Sequence, residues 1–167
     1  MKTLSILSLL FIITISSASA QLSGYTDIIK PGEYEINLNS SNISTVSCII
    51  TVVKYSPQML HTAYWGVIFE DTTWTVIKII RFNVKGKEFK APLSSYSDLA
   101  EPDRAMIQKV GKHYRFLMDG SDAAFGYNVT IDFDDWHVIE RTVHNGEFPS
   151  SSWEKTIYHA DTTSTEN

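Results

Sequence analysis

The sequence lacks the cysteine pairs that often hold small secreted domains together. Cys48 is its only cysteine, so no disulfide can form within the chain. The residue lies in the apolar run from Val46 to Val53, which contains no histidine or basic residue to activate a thiol. A buried thiol that packs as a small hydrophobic side chain is therefore expected, with an intermolecular disulfide as the alternative.

Motifs of the common catalytic and cofactor sites are also missing. No G-x-S-x-G, G-x-G-x-x-G or P-loop pattern occurs. The histidines form no H-E-x-x-H or H-x-H motif, and His137 and His144 fall on opposite faces of one predicted strand. We therefore predict no catalytic residue, no cofactor and no metal ligand, which favours a non-enzymatic function.

Acidic residues are grouped in a pattern that is typical of a solvated surface. Asp132 and Asp134 belong to the polar face of a predicted strand and its turn, and Asp135 and Glu140 follow them. The segment 119–122 lacks the spacing and the terminal glutamate of an EF-hand loop. Calcium binding and carboxylate catalysis are the less favoured alternatives.

There is no excess of positive charge. The full chain has 14 basic and 19 acidic residues, which gives a net charge of −5 at pH 7. Removal of the predicted signal peptide also removes Lys2, so the net charge becomes about −6. This charge argues against nucleic-acid binding and against broad binding to anionic membranes.

The first 20 residues have the features of a cleavable secretory signal peptide. Lys2 supplies the positive charge, an apolar run extends from Leu4 to Ile15, and Ala18-Ser19-Ala20 supplies the small residues before the cleavage site. The run is shorter than the roughly 20 residues that span a bilayer, which disfavours an uncleaved anchor. We predict a secreted or periplasmic protein with one domain over 21–160, a flexible tail over 161–167 and no transmembrane segment after cleavage.

Three N-x-Ser/Thr sequons, at Asn39, Asn42 and Asn128, are candidates for glycosylation. They would be used only in a host that glycosylates its secreted proteins. Asn128 falls on the polar face of a predicted strand, from which a glycan would point into solvent.

Apolar and polar residues alternate along much of the chain. The run from Tyr127 to Asp134 alternates without interruption, as in a strand with one face in the core and one in water. Turn signals such as Lys85-Gly86-Lys87, Gly111-Lys112 and Asn145-Gly146 recur roughly every 8–12 residues. We predict an all-β domain, either an antiparallel up-and-down barrel or a two-sheet sandwich. The predicted strands are 33–38, 46–55, 61–69, 73–84, 87–90, 104–110, 113–119, 124–133, 136–144 and 153–159.

One segment departs from the strand pattern. Residues 91–102 contain Pro92, Pro102 and a cluster of serine and aspartate. A short helical turn near 95–100 is expected there, centred on 97–100, and it should end before Pro102 because the residue before a proline avoids the α region. The apolar residues of the segment suggest that it packs against one end of a sheet.

The chain is rich in aromatic residues, with four tryptophans, eight tyrosines and eight phenylalanines. Tyr64 and Trp65 are adjacent, so they must point to opposite sides of their predicted strand. An outward aromatic residue marks a binding surface and an inward one can line a barrel cavity, with ordinary core packing as the alternative. The residues predicted to line a ligand site are Tyr64, Trp65, Trp74, Phe116 and Tyr127.

Three functions follow, in order of preference. The first is an exported, non-catalytic domain that binds a small apolar or amphipathic molecule. The second is a secreted interaction module that binds a protein or a glycan through an exposed face, which exposure of Tyr64 or Trp65 would favour. The third is an enzyme whose site is assembled from strands that are distant in sequence.

Overall fold

Two antiparallel β-sheets face each other across a shared apolar core. The computed structural model describes residues 24–38, 45–59, 63–67, 73–121 and 125–160. The predicted signal peptide over 1–20, the sequons at Asn39 and Asn42 and the predicted tail over 161–167 lie outside these residues. Within the described ranges, no helix has the length and apolar character needed to cross a membrane.

Nearly all regular structure in the described part of the chain is strand. The strands are β1 (Thr26–Asp27), β2 (Gly32–Asn37), β3 (Val46–Lys54), β4 (Thr75–Val84), β5 (Lys87–Lys90), β6 (Pro102–Val110), β7 (His113–Gly120), β8 (Tyr127–Phe133), β9 (Val138–Asn145) and β10 (Ser152–Ile157). One sheet has the order β1–β6–β7–β8–β9–β10, and the other has the order β2–β3–β4–β5.

The prediction of an all-β domain is confirmed, and the architecture is the sandwich rather than the barrel. Strands β1 and β10 form the edges of the larger sheet, and β2 and β5 form the edges of the smaller one. A barrel requires a sheet whose first and last strands pair with each other, and these edges belong to two separate sheets.

Two tight turns lie where the sequence predicts them. Lys85 and Gly86 join β4 to β5, and Gly111 and Lys112 join β6 to β7. Lys85, Gly86 and Gly111 all have positive φ angles, of 53°, 82° and 59°. Two-residue loops of this kind have the backbone twist that matches the twist of the strands on either side.

The predicted strand over 61–69 is wrong for the residues that the structure describes there, 63–67. Trp65 forms only an isolated parallel bridge with Leu99. Gly66 has a φ of 95°, a left-handed conformation that interrupts an extended strand. The segment is therefore a loop that passes alongside residues 98–100.

The helical turn is present and begins earlier than its predicted centre. It is a 3-10 turn over Leu93–Ser95 that directly follows Pro92, whose fixed φ suits the start of a helical turn. The hydroxyl of Ser95 donates to the carbonyl oxygen of Pro92 at 2.7 Å, and Ser95 is buried. Tyr96 and Leu99, which follow the turn, are also buried, as the apolar pattern suggested, whereas Leu93 is 67% exposed.

Side chains from both sheets fill the core. Phe82 of β4 stacks on Phe133 of β8 with the ring centroids 4.0 Å apart, and it meets the edge of Phe116 of β7. All three rings have an exposed fraction of 0%. A cavity that could hold water would leave accessible surface on these rings, so this part of the core contains only side chains. Cys48 is also buried here, as predicted.

Candidate functional site

An open cleft at one end of the sandwich combines aromatic rings with carboxylates. Its volume is about 250 Å³, and it is lined by Ala63, Tyr64, Trp65, Asp98 and Glu154. These residues come from the loop before β4, from the turn that follows the 3-10 turn, and from the edge strand β10. We call this site the aromatic–acidic cleft.

A larger depression of about 540 Å³ lies beside β1, but its described lining has no aromatic side chain that could bind the apolar part of a ligand. Ile28, Ile29, Glu101, Pro102, Asp103 and Ser121 line it. None of these residues is aromatic, and the depression is wider open to solvent than the aromatic–acidic cleft. Ligand sites combine apolar and aromatic walls with a few polar groups, so the smaller cleft is the better candidate.

Backbone hydrogen bonds hold the Tyr64–Trp65 loop in place. The amide of Trp65 donates to the carbonyl oxygen of Asp98 at 2.8 Å, and the amide of Ala100 donates to the carbonyl oxygen of Trp65 at 3.1 Å. The two adjacent rings have different partners, because Tyr64 contacts Tyr55 and Trp74 whereas Trp65 contacts Trp153. Tyr64 is buried, whereas Trp65 is half-buried.

Tyr64 belongs to an aromatic cluster with Tyr55 and Trp74. Tyr55 stacks on Trp74 with the centroids 3.9 Å apart, and Tyr64 meets Trp74 edge-on at 4.8 Å. Burial raises the pKa of Tyr64, and the neighbouring Tyr55 and the charge of Asp98 raise it further. Tyr64 is therefore protonated at neutral pH.

Trp65 extends the aromatic surface in the other direction. It stacks on Trp153 of β10, with the centroids 5.2 Å apart and the ring planes 14° from parallel. The pairing of β10 with β9 is irregular between Ser152 and Glu154, next to this tryptophan. Trp153 is 41% exposed, so the aromatic surface continues from the cleft to the edge of the larger sheet.

Arg141 of β9 holds the two carboxylates of the cleft. Its Nη2 donates to both carboxylate oxygens of Asp98, at 2.7 and 2.9 Å, and its Nη1 donates to Oε1 of Glu154. The Arg141 side chain is almost fully buried, whereas both carboxylates are partly exposed. Two negative charges and one positive charge give this group a net charge of −1, and the carboxylates are its solvent-facing part.

Tyr127 packs against the core side of the loop that carries Trp65. Its hydroxyl donates to the carbonyl oxygen of Ala100 at 2.8 Å. A Cβ atom at Gly66 would lie 2.8 Å from the Tyr127 ring, and one at Gly120 would lie 2.3 Å from it. These close contacts require glycine at both positions, and they fix the loop that carries Trp65 against the core.

The five residues predicted to line a ligand site do not share one cavity. Tyr64 and Trp65 line the cleft, and Trp74 lies behind Tyr64 in the aromatic cluster. Phe116 packs in the filled core, and Tyr127 lies beneath the cleft loop.

Sequence reasoning missed two residues that line the cleft, Asp98 and Glu154, and two that contact its lining, Arg141 and Trp153. Arg141 is two residues from both Ile139 and Val143, so in a regular strand it would share a face with two apolar side chains. That pattern is the one available signal, because a buried arginine requires acidic partners.

The described sequon, Asn128, lies on the outer face of β8 but is not freely exposed. Its Nδ2 donates to Oδ1 of Asp119, and its own Oδ1 is buried. Nδ2 is the atom that an N-linked glycan would modify, so in the folded domain this atom is held in a side-chain contact.

Acidic residues away from the cleft have structural contacts. Asp132, predicted to be solvated, is instead 9% exposed, and its two carboxylate oxygens accept from Arg115 at 2.6 and 2.8 Å. The prediction is wrong here because Arg115 lies opposite Asp132 on the neighbouring strand. Among the residues that the structure describes, no group of three or more histidine, cysteine or acidic side chains is arranged to hold a metal ion.

Comparisons of the chain with family models, with curated proteins and with solved structures find no match.

Proposed function

We propose that this protein binds a small amphipathic molecule in the aromatic–acidic cleft. The observation that carries the proposal is the convergence of Tyr64 and Trp65 with Asp98 and Glu154 around one opening. Aromatic faces bind apolar groups, and carboxylate oxygens accept hydrogen bonds from hydroxyl or ammonium groups. A ligand with an apolar side and a donor side matches both parts of the lining.

The size and the charge of the cleft narrow the ligand class. A volume of about 250 Å³ is below the range of about 300–1,000 Å³ typical of drug-sized ligands, so the ligand, or the part of it that enters, is small. The net charge of −1 from Asp98, Arg141 and Glu154 favours neutral or cationic groups over anionic ones. The described lining holds no cysteine, serine or histidine, which favours binding without catalysis.

Three aromatic probes of similar size and different charge test the proposal. Benzylamine, benzyl alcohol and benzoate are titrated into the isotopically labelled protein, and the tryptophan indole N–H signals are followed by NMR. The expected order of affinity is benzylamine, then benzyl alcohol, then benzoate, with saturable shifts at Trp65 and Trp153. Trp136, which is exposed elsewhere in the fold, serves as the internal control and should not shift.

Substitutions locate the binding. Trp65→Ala should abolish the saturable shifts of the remaining cleft signals, whereas Trp136→Ala should leave the affinities unchanged. If no probe gives saturable shifts, or if Trp65→Ala binds as well as the wild type, the proposed site is wrong.

A glycan is the second candidate ligand, and the exposure of Trp153 is the observation that favours it. A sugar ring can stack on the exposed face of a tryptophan while its hydroxyl groups donate to Asp98 and Glu154. Methyl glycosides titrated in the same NMR experiment distinguish the candidates. Saturable shifts with a glycoside and none with the three benzyl probes would favour the glycan-binding module.

A further inference from the structure

The end of the sandwich opposite the aromatic–acidic cleft is rich in lysine. The turn between β4 and β5 contains Lys85 and leads into Lys87, and the turn between β6 and β7 follows Lys109 and contains Lys112. All four lysines are exposed. The turn between β8 and β9 lies beside them and carries Trp136, which is 64% exposed. We call these five residues the lysine tip.

Side-chain contacts join two of the three turns. Nζ of Lys85 lies 2.9 Å from the carboxylate of Asp135, and Nζ of Lys87 lies 3.5 Å from the centre of the Trp136 ring. Both contacts join the smaller sheet to the larger one. The third turn, which contains Lys112, leads into β7. Tyr114 near the start of β7 pairs with Phe133 at the end of β8, so this turn lies on the same side of the domain as the β8–β9 turn.

The acidic residues at this end do not cancel its positive charge. Oδ1 of Asp134 accepts from the backbone amides of Trp136 and His137, at 2.8 and 3.0 Å, so it is directed into its own turn. Asp135 is paired with Lys85. The four lysines, together with Asp134 and Asp135, contribute four positive and two negative charges, which leaves +2 around an exposed indole ring. Glu88, the residue after Lys87, lies 4.0 Å from Arg81.

We propose that the lysine tip is a docking surface for the anionic face of a lipid bilayer. Lysine side chains next to an anionic bilayer are attracted to its headgroups, and tryptophan prefers the interface between headgroups and acyl chains. The tip is formed by projecting turns, a shape that meets a flat surface well. A single exposed indole and a few lysines give reversible attachment rather than insertion.

The negative net charge of the whole chain does not oppose this contact. Glu154 of the acidic cleft pairs with Val143, five residues along β9 from Val138 next to the tip, which corresponds to roughly 17 Å. Charges in solvent are screened over about 8 Å at physiological salt. The bilayer therefore responds to the local charge of the tip.

Vesicle co-sedimentation tests the proposal on the chain that starts at Gln21, made in a host that does not glycosylate it. Phosphatidylcholine vesicles are compared with vesicles that also contain phosphatidylglycerol, at low salt and at about 0.15 M salt. Binding is expected only to the anionic vesicles and should weaken as salt rises. Failure to bind anionic vesicles at low salt would overturn the proposal.

Matched variants show whether the tip is responsible. The double substitution Lys109→Glu and Lys112→Glu is expected to lower the partition coefficient more than about 25-fold, since each lysine contributes about fivefold. Trp136→Ala should lower it about fivefold. Phe148→Ala is the control for the tryptophan because Phe148 is 63% exposed and lies at the opposite end, and Lys54→Glu is the control for charge.

Vesicle binding by the two control variants and binding to a DNA oligonucleotide complete the test. Phe148→Ala and Lys54→Glu should bind like the wild type. An equal loss in Lys54→Glu and the tip variants, or tight binding to a soluble DNA oligonucleotide together with weak vesicle binding, would overturn the proposal.

Discussion

Arg141 binds Asp98 through both carboxylate oxygens, at 2.7 and 2.9 Å from Nη2. The Arg141 side chain is 2% exposed, whereas those of Asp98 and Glu154 are 25% and 37% exposed. A nearly buried cation therefore depends on two carboxylates at the rim of the cleft. The same ion pairs stabilise the fold and set the charge of the candidate site.

Loss of Asp98 should be more damaging than loss of Glu154. Asp98→Ala is expected to lower the free energy of unfolding by about 3 kcal/mol, because the buried guanidinium loses its two-oxygen partner. Glu154→Ala should lower it by about 1 kcal/mol, because Glu154 is the more exposed partner. Urea unfolding followed by tryptophan fluorescence measures both values. Equal losses would contradict the asymmetry.

The double variant Asp98→Ala with Arg141→Met provides a control for the buried charge. It removes the cation as well as its main partner, and buried ion pairs can often be replaced by apolar residues at little cost. It should therefore be more stable than Asp98→Ala alone. A double variant that is less stable would show that Arg141 contributes mainly through packing.

Alanine substitutions at Gly66 and at Gly86 can be compared to separate the cost of backbone strain from the cost of steric overlap. Both glycines have positive φ, 95° at Gly66 and 82° at Gly86. A Cβ atom at Gly66 would lie 2.8 Å from the Ala100 carbonyl oxygen and 2.8 Å from the Tyr127 ring. A Cβ atom at Gly86 would meet no other atom within 4 Å. Gly86→Ala should lose about 1–2 kcal/mol of stability from the left-handed conformation alone.

Gly66→Ala should lose at least about 2 kcal/mol more than Gly86→Ala, because the added methyl group must displace backbone or the buried ring. It should also weaken binding of the benzyl probes, since Trp65 is the preceding residue and its loop would shift. Urea unfolding and the NMR titration check the two effects. Similar stability losses in the two variants would contradict the close packing of Tyr127 against the loop.

Local patterns predicted the strands well because they act over a few residues. The alternation from Tyr127 to Asp134 gives β8, and Gly111-Lys112 gives the turn between β6 and β7. The strand predicted over 61–69 is absent from the described residues 63–67, where Gly66 adopts a positive φ and lies close to Ala100 and Tyr127. No local pattern reports such an approach.

The cleft was only partly predictable for a similar reason. Trp65 could be selected because it is adjacent to Tyr64 and must point to the other side. Asp98 and Glu154 could not be selected, because they are far apart in sequence and meet only where the turn after Leu93–Ser95 lies over β9 and β10. The position of Arg141 two residues from Ile139 and from Val143 is compatible with a buried cation that needs acidic partners, but it does not identify those partners.

Cys48 should be unreactive while the domain is folded. Burial raises its pKa well above the ordinary thiol value, and its side chain has no exposed surface. Labelling with a thiol reagent at neutral pH should be more than about a hundredfold slower in the native protein than in urea, because it requires an opening of the core. Fast native labelling, or a disulfide-linked dimer of the folded protein, would contradict this burial.

Ionisation of Asp134 in the β8–β9 turn should make the stability of the fold depend on pH in the acidic range. Partial burial tends to raise its pKa, but the hydrogen bonds from the backbone amides of His137 and Trp136 outweigh that effect, so its pKa lies below the ordinary value. A carboxyl group whose pKa is lower in the folded state stabilises the fold above its unfolded pKa, near about 4, and this contribution is lost as the pH falls through the folded pKa.

Asp134→Ala is therefore expected to lower the free energy of unfolding by about 1 kcal/mol at pH 7, and the difference from the wild type should shrink below about pH 4. Urea unfolding across this pH range measures the difference. Asp135→Ala is the matched control: Asp135 is the next residue and pairs on the surface with Lys85, so its loss should be smaller. A destabilisation by Asp134→Ala that is as large at pH 3 as at pH 7 would mean that the ionised carboxylate does not hold the turn.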